Sequence, residues 1–238
     1  MPGSIPLFLL YFSLLLTYSI STPVNIHIKL SSEGESIAKS IDTQLHAKLK
    51  YDDIFLNTIN QPHITLYLTD FGSNISELVQ ILETLSNNLI PCDIVLSNYS
   101  VNETYAFWQV ENNKCLQLLS NSVVNATYKL ASPNQPIPSW VYSLPEPLRS
   151  EKINLIQLYG SPNVFKQFVP HVTIAYDENT TIDNLSAAIE SLPSIGYTSF
   201  NRIMGLGDVG KHGSILRGKD YADFPLLGDI KQKRWKSN

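Results

Sequence analysis

The sequence predicts an α+β fold built as a bilobed, pseudo-two-fold duplication, with two antiparallel-rich sheets, helices outside and a central cleft. Three observations predict it. Short strands with alternating apolar residues are interleaved with amphipathic helices. The order strand, polar turn, helix, proline, strand, strand occurs twice, which indicates a duplicated unit. A Pro-His-aliphatic-Thr-aliphatic stretch opens each copy, at Pro62 and at Pro170.

The first half is expected to alternate strands and helices. Val24 to Leu30 alternates aliphatic and polar residues and therefore predicts a strand. Ser31 or Ser32 can cap a helix that reaches about Leu49. The further elements are a strand over 62–68, a helix from Ser76 that Pro91 stops, strands over 92–96 and 104–110, and a helix over about 114–126.

The second half repeats this order after a proline-rich connector over residues 132–147. Its expected elements are a helix from Pro147 to about Tyr159, the second motif strand over 170–176, a helix from Thr180 or Thr181 to Leu192, and strands around 195–204 and 214–217. These boundaries divide a domain over 22–230 into lobes of about 22–131 and 148–230.

Residues 1–21 are typical of a secretory signal peptide. Residues 5–18 are almost wholly apolar and uncharged, and Ser19 and Ser21 are small residues at the positions expected before cleavage after Ser21. An uncleaved anchor is the alternative, although the apolar run is short for a membrane span. We therefore expect a secreted or lumenal protein that makes no membrane contact once the signal is cleaved.

Two further features agree with export. Cys92 and Cys115 are the only cysteines, and one disulfide between them is expected, with two free buried thiols as the alternative. Six Asn-x-Ser/Thr sequons predict a glycoprotein, at Asn74, Asn98, Asn102, Asn125, Asn179 and Asn184. The basic tail over 231–238 is expected to be a solvated end, with RNA contact as the alternative.

The composition limits the function classes. A net charge of −4 excludes a broad basic surface for long nucleic acids, so a nucleic-acid substrate would be small or held at one local site. None of the five histidines has metal-ligand spacing, so neither a metal site nor a cofactor is expected. The sequence leaves the oligomeric state open, and a monomer is our expectation.

The two motif stretches carry the candidate chemistry. Alternation along a strand puts His63, Thr65 and Tyr67 on one face, and His171 and Thr173 on the corresponding face of the second copy. Either histidine alone would be interpreted as a satisfied residue of a half-buried strand. A matched pair in one cleft can divide proton transfer at a phosphate, with the threonine hydroxyls binding its oxygens.

Tyr67 is a candidate substrate-binding residue because its ring could stack on a nucleobase, with core packing as the alternative. Its counterpart Ala175 cannot stack, which predicts that the two lobes differ. Phe107 and Trp108 are expected in the core, and His27 is expected to be a surface or strand residue.

The glycine-rich stretch over residues 205–213 lacks the Gly-Lys-Ser/Thr ending of a phosphate-binding loop. It predicts a hairpin instead. Lys211 or His212 at its tip could still reach a phosphate.

The segments His63-Ile64-Thr65-Leu66 and His171-Val172-Thr173-Ile174 resemble the paired His-x-Thr/Ser-x motif of the two-histidine (2H) phosphoesterases. That superfamily includes RNA 2',5'-ligase-like proteins and cyclic nucleotide phosphodiesterases, and the repeat order extends the resemblance over roughly residues 24–217. The resemblance implies a metal-independent hydrolase of 2',3'-cyclic phosphate or 2'-5' phosphodiester bonds, acting on nucleotides or RNA ends. The histidines would be general base and acid, in an order that the sequence leaves open.

Two other classes of function remain open from the sequence. One is a catalytically inactive scaffold that binds a nucleotide or an RNA end. The other is an extracellular interaction protein whose cleft serves a protein partner. The presence of both histidines and both threonines favours the enzyme.

Overall fold

A computed structural model describes residues 23–228, so the predicted signal peptide and basic tail lie outside the described residues. The described chain forms two antiparallel sheets and six α-helices. The strands are β1 Val24–Lys29, β2 Asn60–Gln61, β3 His63–Thr69, β4 Cys92–Asn102, β5 Tyr105–Val110, β6 His171–Tyr176, β7 Tyr197–Asn201, β8 Ile203–Val209 and β9 Ile215–Pro225. The helices are α1 Ser32–His46, α2 Ile75–Ser86, α3 Lys114–Thr127, α4 Ser139–Tyr142, α5 Leu148–Tyr159 and α6 Ile182–Glu190.

The strand order is β2-β9-β8-β1-β3 in the first sheet and β6-β5-β4-β7 in the second. The two motif strands, β3 and β6, therefore form one edge of each sheet, and they contact each other. The predicted α+β class with two antiparallel sheets is confirmed.

Each sheet contains strands from both halves of the sequence, so the predicted lobes of about 22–131 and 148–230 do not coincide with the sheets. Strands β8 and β9 pair beside β1, and β6 and β7 pair with β5 and β4. The equivalent units are β1-α1-β3-α2-β4 and β5-α3-β6-α6-β8. The last strand of each unit, β4 or β8, belongs to the sheet that holds the first two strands of the other unit. The sequence did not show this because the pairing of strands across the two halves depends on contacts between residues far apart in the chain.

The apolar residues of the motif strands anchor them to the core. Ile64, Leu66, Val172 and Ile174 are all at most 1% exposed, and burial of each such side chain stabilises the fold by roughly 1.5–3 kcal/mol. Helix α3 packs on β3 and helix α1 on β6. This burial fixes the side of each strand on which its histidine lies. Trp108 is fully buried in the same core, as predicted.

Local sequence signals position several helices. Ser31, Asn113 and Thr181 cap α1, α3 and α6, each side chain accepting the backbone N–H three residues later. The predicted Cys92–Cys115 disulfide is present and joins the start of β4 to the start of α3. Within residues 23–228, every helix is too short or too polar to span a bilayer.

Candidate active site

A β-bulge interrupts the first motif strand. In the β1–β3 pair, His27 lies opposite Thr65 and Ile26 lies opposite Tyr67, which leaves Leu66 without a cross-strand partner. The carbonyl of Leu66 instead accepts a hydrogen bond of 2.9 Å from the Ser120 hydroxyl of α3. An extra residue of this kind re-aims the side chains that follow it. After Leu66, each residue of β3 therefore lies on the opposite face from the one that simple alternation predicts.

The prediction that Tyr67 faces the cleft and stacks on a nucleobase is therefore wrong. Its side chain is 1% exposed, its hydroxyl donates to the carbonyl of Tyr159, and its ring packs edge-on to Phe71. Burial raises the pKa of the hydroxyl. Leu68 instead continues the face that carries His63, because it pairs with Asn25 on the polar side of β1.

The second motif strand has a bulge at the same place. In the β5–β6 pair, Phe107 lies opposite Thr173 and Ala106 lies opposite Ala175, so Ile174 is the unpaired residue. Ala175 is fully buried, and Tyr176 follows on the face of the histidine. The two halves of the site therefore match residue by residue across their strands.

His63 and His171 are oriented by the same interaction. Nδ1 of His63 lies 2.8 Å from the carbonyl oxygen of Gln61, and Nδ1 of His171 lies 2.9 Å from that of Val169. A carbonyl only accepts, so Nδ1–H is the donor, and Nε2 of each neutral ring is left as an acceptor. Both imidazoles thus keep the same nitrogen available for proton transfer.

The two imidazoles differ in their surroundings. His63 is 7% exposed, and burial together with the charge of His27 lowers its pKa to about 3. His171 is half-buried, and burial lowers its pKa as well. The charge of His171 further lowers the pKa of His63, so the two rings lie within electrostatic reach of each other. Both are neutral at pH 7 in the free protein.

The two threonines of the motifs lie half-buried beside their histidines. Oγ1 of Thr65 accepts a hydrogen bond of 2.7 Å from Nδ2 of Asn25, which also lies 3.5 Å from Nε2 of His63. Because Oγ1 is used as an acceptor in this contact, the hydroxyl hydrogen of Thr65 can be donated to a phosphate oxygen. Thr173 has the equivalent position in the second half.

His27 is a site neighbour that the sequence reasoning missed. It is fully buried, and its ring centroid lies 5.4 Å from that of His63. Its Nδ1 lies 3.1 Å from the carbonyl of Asn25, so His27 makes the same type of contact as the two motif histidines. The alternation of β1 does put Asn25, His27 and Lys29 on one face, but only the sheet order shows that this face adjoins His63.

A carboxylate from β9 lies beyond His27. Oδ1 of Asp220 is 3.9 Å from Nε2 of His27, and neither of these buried atoms has a hydrogen-bond partner within the part of the chain that the structure describes. Lys29 holds the other oxygen of Asp220 at 2.9 Å and contacts Asp223 at 2.6 Å. The first half of the site therefore carries a polar row of side chains.

Two glycines of the glycine-rich stretch make room for this row. A Cβ at Gly205 would lie 2.5 Å from Nε2 of His27, and a Cβ at Gly207 would lie 2.9 Å from Oδ1 of Asp220. Both glycines belong to β8, which forms with β9 the hairpin that the sequence predicted. Within this hairpin they accommodate side chains of the site.

The second half presents aromatic rings at the equivalent positions. The ring of Phe107 lies 4.2 Å from that of His171, and Tyr105 stacks on Phe107 at 5.6 Å. Tyr176 packs edge-on to Tyr105 at 4.7 Å, and His212 of the β8–β9 hairpin tip stacks on Tyr176 at 3.5 Å. We call Tyr105, Phe107 and Tyr176 the aromatic wall. Phe107 is half-buried beside the site, contrary to the expected place in the core.

Other potential sites lie apart from the histidines. A cavity of about 460 Å³ is lined by Lys48, Tyr51, Asn179 and Asn184 and by neither motif histidine. The asparagines of all six sequons are exposed. Within residues 23–228, no three His, Cys, Asp or Glu side chains come together as a metal site.

The two antiparallel sheets and the paired His-x-Thr motifs define a protein of the two-histidine phosphoesterase type. Residues 38–199 match the family model of the 2'-5' RNA ligase superfamily, and the chain belongs to that superfamily. No curated protein sequence matches the chain significantly.

Solved structures share the fold at low sequence identity. TT0787 of Thermus thermophilus is 13% identical with a TM-score of 0.57, over 87% of this chain and 99% of that one. LigT of E. coli complexed with 3'-AMP is 12% identical with a TM-score of 0.51, over 87% of this chain and 98% of that one.

Proposed function

We propose that the chain is a metal-independent phosphoesterase that hydrolyses 2',3'-cyclic phosphate or 2'-5' phosphodiester bonds of nucleotides or RNA ends. The observation that carries this proposal is the duplicated frame of His63 and His171. In both halves, Nδ1 is bound to a carbonyl two residues earlier, Nε2 is an acceptor, and a threonine follows two residues later. Packing alone gives no reason to repeat all three features on adjoining edge strands.

The chemistry requires one imidazole to accept a proton from water and the other to donate one to the leaving ribose oxygen. Both rings are neutral in the free protein, and a bound phosphate raises the pKa of a nearby imidazole because its negative charge favours the protonated form. Substrate binding therefore supplies the acid. Thr65 and Thr173 donate hydrogen bonds to the phosphate oxygens as negative charge develops.

The aromatic wall supports a substrate that carries a nucleobase. Bases stack on Phe and Tyr rings, and each stacked base contributes about 1–3 kcal/mol to binding. The related LigT structure with bound 3'-AMP is in line with a nucleotide ligand. The net charge of −4 favours a short substrate over a long nucleic acid.

The proposed place of action is the secretory lumen or the outside of the cell. The apolar segment within residues 1–21, the Cys92–Cys115 disulfide and the six exposed sequon asparagines support export, glycosylation and an oxidising compartment. The proposed form is a monomer.

The test is to incubate the purified chain with nucleoside 2',3'-cyclic phosphates and 2'-5'-linked dinucleotides, with and without chelator. Turnover is expected to be unaffected by the chelator, and His63→Ala and His171→Ala are each expected to lose at least about 100-fold in rate. His46→Ala, which removes a histidine outside the motifs, is the matched control. Absence of turnover on every substrate, or variants as active as the wild type, would contradict the proposal.

One observation favours the second candidate, an inactive nucleotide- or RNA-end-binding protein. The pKa of His63 is lowered to about 3, and an imidazole of such low basicity is a weak general base at neutral pH. This candidate predicts binding without product and little effect of His63→Ala on affinity. Any turnover that depends on His63 excludes it.

A further inference from the structure

Asn25 has a polar side chain that packing alone does not explain. It lies on β1, between Leu68 of β3 and Gly207 of β8, and it is fully buried. Its Oδ1 has no hydrogen-bond partner within residues 23–228, and a buried oxygen without a partner costs free energy. An apolar side chain of similar size would avoid this cost. The reason for an amide at this position therefore lies with its other polar atom, Nδ2.

Nδ2 of Asn25 contacts both polar side chains of the first motif. It donates a hydrogen bond of 2.7 Å to Oγ1 of Thr65, and it lies 3.5 Å from Nε2 of His63. An amide nitrogen carries two hydrogens, so it has one for each of these two atoms. Asn25 thus joins the hydroxyl and the imidazole that the proposed function places at the phosphate.

The orientation of the Asn25 amide follows from the hydrogen bond that orients His63. The carbonyl of Gln61 accepts Nδ1–H of His63, so Nε2 of the neutral ring is an acceptor. In the reversed amide, Oδ1 would face this acceptor across the same 3.5 Å, and two acceptors repel each other. The Gln61 carbonyl therefore determines, through His63, that the nitrogen of Asn25 faces the site.

The amide in turn orients the hydroxyl of Thr65. A hydroxyl has one hydrogen and two lone pairs, and Nδ2–H of Asn25 uses one of the lone pairs. The hydrogen of Thr65 therefore cannot point at Asn25, and no atom of residues 23–228 accepts it. Because Thr65 is half-buried at the cleft, this hydrogen remains for a ligand that enters there.

The second half of the site has no counterpart of this amide. The position equivalent to Asn25 is Tyr105, whose ring packs on Phe107 and Tyr176. Among the described residues, the hydroxyl of Thr173 has no hydrogen-bond partner, so nothing fixes the direction of its hydrogen. The two motif threonines therefore differ, and only Thr65 is oriented before a ligand binds.

Resting on the proposed function, we infer that Asn25 is a positioning residue that directs the hydroxyl hydrogen of Thr65 to a phosphate oxygen of the substrate. A series of polar contacts runs from the Gln61 carbonyl through His63 and Asn25 to Thr65, and its last hydrogen is left for the ligand. A hydroxyl that is already oriented loses less freedom when phosphate binds. Its hydrogen bond is also in place when negative charge develops on the phosphate. Asn25 acts through Thr65 and needs no contact of its own with the substrate.

Inorganic phosphate provides a test that does not require turnover. It is titrated into the isotope-labelled full chain, and its affinity is measured by NMR. Asn25→Leu keeps the approximate size of the side chain but removes the amide, and it is expected to weaken phosphate binding about 5-fold. In the background of Thr65→Val, which has no hydroxyl to orient, the same substitution should change the affinity by less than about twofold. In the background of Thr65→Ser, which keeps a hydroxyl, the 5-fold effect should remain.

Stability measurements separate positioning from packing. Asn25→Leu removes an unpaired buried oxygen, so the free energy of unfolding in urea should not fall. Asn60→Leu is the matched control, because this buried asparagine has partners for both amide atoms, the N–H of Phe55 and the hydroxyl of Ser214. The control should lose stability, and its folded form should keep the phosphate affinity of the wild type.

Three outcomes of these measurements would overturn the inference. The first is loss of folding in Asn25→Leu, which would make Asn25 a structural residue. The second is an equal weakening of phosphate binding by Asn25→Leu with and without the Thr65 hydroxyl. The third is a wild-type protein that does not bind phosphate at millimolar concentration.

Kinetics test whether Asn25 acts through Thr65 in the reaction as well. On a nucleoside 2',3'-cyclic phosphate, Asn25→Leu is expected to lower kcat about 10-fold, and in the Thr65→Val background it should cause no further loss. A 10-fold loss that persists without the Thr65 hydroxyl would overturn the inference and leave the proposed function intact. Phosphate binding that depends on Asn25 through Thr65, without turnover of any substrate, would contradict only the proposed function.

Discussion

The ring of His27 packs edge-on to the ring of His63, with centroids 5.4 Å apart and planes at 72°. At the equivalent position of the other half, the ring of Phe107 lies 4.2 Å from that of His171. The duplicated fold therefore holds its two histidines in the same backbone frame but with different neighbours. Such a difference is what a division of labour between a base and an acid requires.

The buried histidines predict a loss of stability in acid. Burial lowers the pKa of His27 to about 4 and that of His63 to about 3, whereas an unfolded histidine titrates near 6.5. A lowered folded pKa means that the fold favours the neutral ring. The stabilisation is complete above pH 6.5 and is lost as the pH falls towards the folded pKa. These two groups should lower the free energy of unfolding by about 4 kcal/mol between pH 7 and pH 5, about half from each.

Urea unfolding at pH 7, 6 and 5 measures this loss. The variant His27→Phe introduces the residue that the second half has at the equivalent position, and it should remove about half of the pH dependence. The difference between the variant and the wild type isolates the histidine from carboxylates that titrate in the same range. Identical pH dependence of both proteins would contradict the prediction.

Asp52 should act in the opposite direction. Its side chain is fully buried, Oδ1 accepts the backbone N–H groups of Ile54 and Tyr176, and burial raises its pKa to about 6. A raised pKa favours the protonated carboxyl in the fold, so this stabilisation is present below the unfolded value near 3.9 and is lost as the pH rises towards 6. Asp52→Asn keeps the Oδ1 acceptor without the charge, and it should stabilise the protein by about 2 kcal/mol at pH 7.

Urea unfolding at pH 7 and pH 3.5 checks whether ionisation of Asp52 lowers the free energy of unfolding. The gain from Asp52→Asn should shrink to a few tenths of a kcal/mol at about pH 3.5, where the wild-type carboxyl is mostly protonated in both states. Asp53→Asn, which changes the adjacent exposed carboxylate, is the control and should give no stabilisation at pH 7. A gain of equal size at both pH values would show that the effect does not come from ionisation.

The contrast between Tyr67 and Tyr176 shows where sequence reasoning stops. Alternation correctly put His63 and Thr65 on one face of β3 and Ile64 on the other, because these residues precede the bulge, but it wrongly put Leu68 on the face of Ile64. At Leu66 the period shifts by one residue, and neither a glycine nor a proline marks the shift. The residue predicted to stack on a nucleobase was therefore Tyr67, which is buried. The same comparison of the two motifs also predicted that the two lobes differ.

Long-range pairing limits the prediction in the same way. Nothing near His27 in the sequence indicates that its strand lies between β3 and β8, or that Asp220 reaches it from β9. The local signals, such as the Ser31 and Thr181 caps, depend on neighbours a few residues away and were therefore readable. The motif histidines could be identified as candidates from the sequence because the residues around them are repeated.

Gly205 of β8 gives a prediction that can be compared with the same substitution at Gly196, a glycine outside the site. Gly205→Ala would place a methyl group 2.5 Å from Nε2 of the fully buried His27, so overpacking should destabilise the fold by about 1–3 kcal/mol. The displaced ring should also disturb His63 and lower the rate. Gly196→Ala meets no atom within 4 Å, and its free energy of unfolding and its rate should stay close to those of the wild type. Equal effects of the two substitutions would contradict the role of Gly205 in making room for His27.

The disulfide should affect stability without affecting the site. The bridge joins Cys92 to Cys115, 23 residues apart, and closing a loop of that length stabilises the fold by about 3 kcal/mol through the unfolded state. Cys92→Ala combined with Cys115→Ala should lose about that amount in urea unfolding. The rate per folded molecule should remain within about twofold, because neither motif strand contains a cysteine. A large loss of rate in fully folded protein would contradict this separation.

Tyr176 should determine affinity for the nucleobase. It takes the place that Leu68 has in the other half, and it contacts the rings of Tyr105 and His212. Tyr176→Leu makes the two halves alike at this position and removes one stacking surface, so KM for a nucleoside 2',3'-cyclic phosphate should rise about 10-fold. The value of kcat should change little, because the ring is used equally in the ground and transition states. Leu68→Ala is the matched control, and a KM that rises as much in this variant would place the base on the other side of the cleft.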